Sequence, residues 1–266
     1  AVRLPMGGYD IIVFNRSFND FSNIAFRGNS YETLEAYARK VETRVDKKTR
    51  VETRTIISSP DELAAATLEG FTVTEDMLGN YSQTTYGRTA PSRSSEETPD
   101  GLYHLHFVPK KLTREVSAVL HIEGLNNIRS ATCRLGGVAE SIFLATGKTS
   151  ANTVTQEFTP SNPEFSPGSP FNGTLSCEFE IFGLNVIDNN NLHLDALLVD
   201  GKTEFEGDCT NVKITENDDG TGSVTLILEA STEKVPDVKP EGGAGSGFDV
   251  DVDGWGNEIN TDIPIN

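Results

Sequence analysis

The stretch LTREVSAVLHIEGLNNIRSATCRLGGVAESIFLATGK, residues 112–148, decides the fold. Val116, Ala118, Leu120 and Ile122 fall on one side of a period-2 pattern, with Glu115, Ser117, His121 and Glu123 on the other. Val119 is the one apolar residue on the polar side. Successive side chains of a strand point to opposite faces, so this pattern predicts a half-buried strand. Gly124 to Asn127 supply turn residues, and Ile128 to Leu135 reads as a second strand broken by Gly136 and Gly137. The apolar run Ile142 to Ala145 follows and ends at Gly147. Together these segments predict a β-meander at the heart of a sandwich.

Outward toward the C-terminus the same grammar repeats. Thr153 to Phe158 predicts a strand and Ser161 to Asn172 a Pro-rich loop. In Thr174 to Phe182, Leu175, Cys177, Phe179 and Ile181 alternate with Ser176, Glu178 and Glu180. Asp188 to Asn191 reads as a turn. Leu192 to Val199 is a strand, and Asp200-Gly201 is a hairpin turn signal. Thr203 to Phe205, Val212 to Thr215 and Ser223 to Ala230 complete the series. Many short strands with regular turns point to an all-β sandwich or barrel. Glu233 to Gly247 reads as a linker, and Phe248, Val250 and Val252 alternate with Asp249, Asp251 and Asp253 beyond it.

Toward the N-terminus, YDIIVFN and Ile24 to Arg27 predict strands. Helix formers from Glu32 to Lys40, behind a Ser30 cap, predict a helix, as does Glu62 to Leu68 behind SSPD. Phe71 to Thr74 and Leu102 to Val108 predict strands, separated by a long polar loop at Asn80 to Asp100. Pro109-Lys110-Lys111 is the expected domain boundary, dividing the chain into 1–109 and 110–266.

Forty acidic against 22 basic residues give a net charge of −18. That balance argues against nucleic acid and against electrostatic membrane binding, which need basic surfaces. From Thr203 onward there are fifteen Asp and Glu against three Lys, a net of −12. Arg39, Lys40, Arg44, Lys47, Lys48, Arg50 and Arg54 form the one basic island, read as the flanks of a hairpin around Asp46-Lys47-Lys48. No apolar run approaches the ~20 residues of a membrane-spanning helix.

The candidate chemical motifs are weak. DVDVDG at 249–254 matches the opening of a calcium loop, with Asn257 at the ninth position. Asn260 stands where a bidentate Glu is needed, and strand Asp residues lie about 7 Å apart. His104 and His106 share a strand face and His121 lies on another strand, but no Cys or Glu-x-x-His pattern completes a site. Gly243 to Gly247 neither follows a strand nor opens a helix, so it is no phosphate loop. Cys133, Cys177 and Cys209 include no CxxC pair, and one disulfide among them stays open. Trp255 is the lone tryptophan, either packing the last strand or exposed for a sugar or partner. The residues therefore assign no catalytic group, no metal and no cofactor.

GGYDIIVFN with IAFRGNSYETLEAYA, then LTREVSAVLHIEGLNNI, GGVAESIFLATG and GFDVDVDGWGNEINTDI, resemble a Bacteroidales family of fimbrillin-like surface lipoproteins of uncharacterised function, related to minor-fimbrium anchor subunits. The resemblance implies two tandem transthyretin-like Greek-key β-sandwich domains. It also implies a lipidated Cys and one or two first strands upstream of Ala1, attachment to the outer membrane and display at the cell surface. The implied role is non-enzymatic: an accessory or anchoring subunit of a fimbria, or an adhesin. Fimbrial subunits would be the partners, joined by β-strand addition with 248–265 as a possible donor strand. Glycan binding is the alternative.

Overall fold

A computed structural model describes residues 3–45, 53–78, 104–185, 190–218 and 224–240. The alternating segment forms β8 (Arg114–Glu123), and its inward residues are fully buried, with Ala118 and Leu120 at 0% exposure. β8 is paired along both edges. On one side it runs antiparallel to β13 (Asn172–Ile181), and on the other parallel to β17 (Val224–Ser231). β12 (Asn162–Phe165) and β16 (Thr210–Asp218) complete a five-stranded sheet in the order β12-β13-β8-β17-β16.

The facing sheet has six strands. Its centre is β9 (Ile128–Ala139), flanked by β14 (Leu192–Leu198) and β11 (Thr153–Phe158). β15 (Glu204–Asp208) lies outside β14, and β5 (Thr53–Ile57) and β4 (Lys40–Val45) lie outside β11. Leu192, Leu194, Ala196 and Leu198 turn inward against the apolar face of β8, β13 and β17, and the Phe158 and Phe179 rings stack at 4.3 Å between centroids. The fold is an all-β sandwich, as the alternation predicts.

Two small sheets flank it. One is β1 (Gly7–Phe14), β6 (Ala64–Val73) and β7 (Lys110–Lys111); the other is β10 (Ser141–Phe143), β3 (Glu35–Ala38) and β2 (Ile24–Arg27). Phe14, Phe18, Phe21 and Phe26 gather between β1 and β2, with ring centroids 4.6 to 6.3 Å apart. Three ladders join residues on either side of Pro109: β5 with β11, β3 with β10, and β6 with β7.

Several expectations are corrected. Neither helix forms. The Ser30 cap makes its reciprocal bonds, Ser30 N–H donating to Thr33 Oγ1 at 3.1 Å and Thr33 N–H to Ser30 Oγ at 3.3 Å. The turn then stops, because Ala36 and Ala38 are buried as the inward residues of β3. Asp61 accepts the Asn23 N–H at 2.7 Å instead of capping a helix, and the chain enters β6. Gly136-Gly137 does not end its strand but bulges it: Val138 pairs with Val154 and Leu135 with Gln156, one residue more on β9 than on β11. Gly137 sits at φ +82°, a conformation that favours glycine. The loop at Ser161 to Asn172 contains β12, since an edge strand tolerates Pro163. Residues 104–109 keep the alternation of Leu105 and Phe107 but join no ladder among the described residues. The turn at 46–48, the loop at 80–100 and everything from 241 onward lie outside the described residues.

β2, β3 and β10 are pinned by charge. Arg27 pairs with Glu35 and reaches Glu140 at 3.3 Å, while Ser141 Oγ donates to Glu35 at 2.6 Å. Burial alone would push the Glu35 carboxyl up, but the hydrogen bonds from Arg27 and Ser141 outweigh it and hold the group below its ordinary value.

Two outcomes follow from this arrangement. Leu120→Ala costs about 2–5 kcal/mol, whereas His121→Ala, one residue away on the exposed face, stays within about 0.5 kcal/mol; urea denaturation separates them. A carboxyl whose folded value is depressed adds stability above its unfolded value that is lost as pH falls through the folded one. Glu35→Gln therefore lowers the melting temperature at pH 7, and the gap to wild type closes as pH is taken below about 4.5, the ordinary value. A constant gap from pH 7 to pH 3 would contradict this.

Candidate functional site

Alternation exports chemistry as well as burying apolar groups. The residues of β14 that do not face the core are His193, Asp195 and Leu197. Their positions are set by the turn into β15. Asp200 accepts hydrogen bonds from Thr203 Oγ1 at 2.5 Å, Thr203 N–H at 2.9 Å and Lys202 N–H at 3.0 Å, and Gly201 takes φ +70°. Those bonds, the Thr203 hydroxyl foremost, hold the Asp200 carboxyl below its ordinary value. The register that results places Asp195 opposite Glu206 and His193 opposite Asp208.

The same register continues across the sheet, pairing His193 with Arg134 and Arg134 with Glu157. The outer face thus carries a row Glu157, Arg134, His193, Asp208 beside a row Thr132, Asp195, Glu206. Arg134 Nε lies 3.2 Å from Glu157, and its other arm pairs with Asp195 Oδ2. His193 Nδ1 is 2.9 Å from Asp208 Oδ1, and Nε2 is 3.3 Å from Asp195 Oδ1. Thr132, Arg134, Glu157, Asp195, Phe205 and Glu206 line a shallow depression of about 340 Å³.

A second concavity, of about 530 Å³, opens at one end of the sandwich. Leu112, Ile142, Phe182, Leu184, Ile214 and Leu226 form its apolar walls, and Lys111, Arg114 and Lys148 its rim. Lys111 Nζ is 2.7 Å from Glu180, and Arg114 is 2.8 Å from Glu216. Burial alone would lower the Lys111 ammonium, but Glu180 outweighs it and raises the group. Carboxylates thus already balance two of the three rim cations.

The third feature is an edge. All four residues of β12 are exposed, and among the described residues only β13 pairs with it. Phe165 closes β12 and Phe171 lies in the hairpin loop, at 48% and 60% exposure. Ser166 N–H donates to Asn172 O at 2.9 Å, and Ser169 Oγ accepts the Asn172 N–H at 3.1 Å, which fixes the loop that presents them.

Of the residues singled out in the sequence, His104 and His106 are exposed on an extended segment and His121 on β8. They do not converge. Among the described residues, the group with donor atoms close enough to share an ion is His193, Asp195 and Glu206. Its trace in the sequence is HLD at 193–195 and EGD at 206–208, spaced by two around a hairpin turn. Cys133, Cys177 and Cys209 are free thiols packed in or against the core. Burial pushes Cys177 and Cys209 up to about 11 and Cys133 well up, which makes them poor nucleophiles. Asp249, Asp251, Asp253 and Trp255, the glycine run at 243–247 and the segment 248–265 lie outside the described residues.

Comparison with known proteins adds a family. Residues 1–159 match the family described as Domain of unknown function (DUF5119), a match that runs through β1 to β11. No curated protein matches the sequence. A proposed adhesin from Bacteroides ovatus ATCC 8483 is similar in structure, with a TM-score of 0.48 and 16% identity over 77% of this chain and 66% of that one. A proposed adhesin from Bacteroides thetaiotaomicron VPI-5482 gives 0.37 and 14%, over 78% and 61%. A second from Bacteroides ovatus gives 0.30 and 8%, over 77% and 55%. The chain spans less than two thirds of the length of each of these structures.

The charged face has a measurable consequence. Arg134→Ala removes the cation between Glu157 and Asp195 and costs about 1–3 kcal/mol, the range for a charged hydrogen-bond partner. The Arg134→Ala/Asp195→Ala double variant costs less than the sum of the two single changes, because the carboxylate left unpaired is gone. Strict additivity in denaturant titrations would show that the pair is uncoupled.

Proposed function

The chain belongs to the DUF5119 family, whose description assigns no activity, and from its surface we propose that it is a non-enzymatic binding protein displayed at the bacterial cell surface, adhesin-like in role. The observation that carries this reading is the β12 edge, unpaired on its outer side among the described residues, with Phe165 and Phe171 presented beside it. A free edge offers unpaired main-chain groups, and exposed aromatics beside it supply the apolar anchors of a protein contact. In its finer form the protein is an accessory or anchoring subunit of a fimbria, held at the outer membrane by a lipid anchor upstream of this chain. Another subunit would add a strand to β12. The edge is short and carries Pro163, so it accepts a partner over few hydrogen bonds.

The second reading, a glycan-binding surface protein, is favoured by the cleft rimmed by Lys111, Arg114 and Lys148. Its apolar walls and few polar groups suit a small ligand.

Cross-linking on intact source cells, with mass spectrometry of the joined products, separates the two. Fimbrial subunits linked near residues 160–172 are the expected result, and Phe165→Ser/Phe171→Ser removes them while the melting temperature stays within about 2 °C, as for exposed positions. Polysaccharide or its transporters as the linked material would promote the glycan reading and overturn the fimbrial one.

A further inference from the structure

We propose that His193, Asp195 and Glu206 bind a divalent transition-metal ion of the zinc class between β14 and β15. One ring nitrogen of His193 and one carboxylate oxygen each of Asp195 and Glu206 lie within 4.8 Å of one another. Ligands held at about 2.1 Å in a tetrahedron stand roughly 3.4 Å apart. His193 Nε2 and Asp195 Oδ1 are already at that spacing, 3.3 Å. Glu206 stands on the neighbouring strand, directly opposite Asp195, and a small rotation of its long side chain brings it in.

The surroundings point the same way. Asp208 accepts a hydrogen bond from His193 Nδ1 at 2.9 Å. With Nδ1 donating to Asp208, the ring nitrogen left to coordinate an ion is Nε2, which faces Asp195 Oδ1. A carboxylate behind a ligating imidazole is the usual support of a zinc-bound histidine. Asp195 divides its two oxygens: Oδ2 goes to Arg134 and Oδ1 faces His193. Both oxygens are shielded from solvent, and neither accepts a well-directed hydrogen bond. Two carboxylates directly opposite on adjacent strands repel. Arg134 balances only Oδ2 of Asp195, and a cation between Nε2, Asp195 Oδ1 and Glu206 would relieve the remaining repulsion.

The donor set selects the metal. One imidazole with two carboxylates suits zinc and its neighbours, whereas calcium takes six to eight oxygens and no nitrogen. Asp195 and Glu206 also line the depression of about 340 Å³, so two of the three ligands border a concavity of the surface. Bound there, it cross-links the β14–β15 hairpin.

The test is calorimetric titration of zinc chloride into the whole chain without a histidine tag, at neutral pH, with a parallel melting curve. One zinc per chain at micromolar affinity and a raised melting temperature are expected. His193→Asn and Glu206→Gln each weaken binding at least tenfold. Asp208→Asn weakens it by about 10- to 100-fold without touching the metal, as for outer-shell partners. Calcium at the same concentrations leaves the melting curve unmoved. Absence of binding up to 100 µM zinc overturns the proposal. So does binding that survives both His193→Asn and Glu206→Gln, which would place the ion elsewhere on the chain.

Discussion

Everything in this structure depends on a strand with no free edge. β8 is hydrogen-bonded on both sides, antiparallel to β13 along its whole length and parallel to β17 from Val116 to His121. Its inward row, Val116 to Ile122, must then be covered by a second layer, since each exposed aliphatic side chain would forfeit about 1.5–3 kcal/mol. β9, β11 and β14 are that layer. The Phe158–Phe179 stack and the run Leu192 to Leu198 fill the gap between the layers. The parallel β8–β17 pair is the long-range element: residues 116 and 226 are opposite one another across more than a hundred positions. Closing such a loop is entropically costly, and only burial on this scale offsets it.

β9 solves a second geometric problem. It must serve the sandwich and also deliver the chain to the small sheet containing β3. The Gly136-Gly137 bulge does this by inserting one residue and turning the strand. Asn190 and Asn191 clasp the bulge. Asn190 Nδ2 donates to Gly136 O at 2.7 Å, and a Cβ on Gly136 would sit 2.0 Å from Asn191 Oδ1. Beyond the bulge Val138 bridges to Leu184, and β10 crosses to β3, where Ser141 meets Glu35. The first third of the chain is thus sewn to the sandwich by backbone as well as by side chains.

What could be read in advance follows from the range of the forces involved. Period-2 burial is local information, and β8, β11, β13 and β14 were legible with near-correct ends. The helix expected at Glu32 to Lys40 failed because propensity is weak beside burial: Ala36 and Ala38 are good helix formers, yet β2 and β10 close on both sides of them. β12 was hidden because Pro163 marks a loop unless the strand is known to lie on an edge. The charged cluster was illegible for a different reason. His193 and Asp195 alternate visibly, but their partners Arg134, Glu157 and Glu206 come from three other strands, and only the register brings them together.

That register links fold to chemistry. Slipping β14 by one residue would turn Leu192, Leu194, Ala196 and Leu198 outward and bury His193 and Asp195 together. The cost of burying two unpaired polar groups adds to that of exposing four apolar ones, so the core protects the geometry of the outer face. The Asp200 turn protects it from the other end, since its three hydrogen bonds set where β15 begins. In a chain of net charge −18 the surface carboxylates repel one another. Here alternate strands place a guanidinium and an imidazole among the acids, and self-repulsion becomes a directed array. The same sheets that need no chemistry to fold thereby hold a rigid platform on which chemistry can be built.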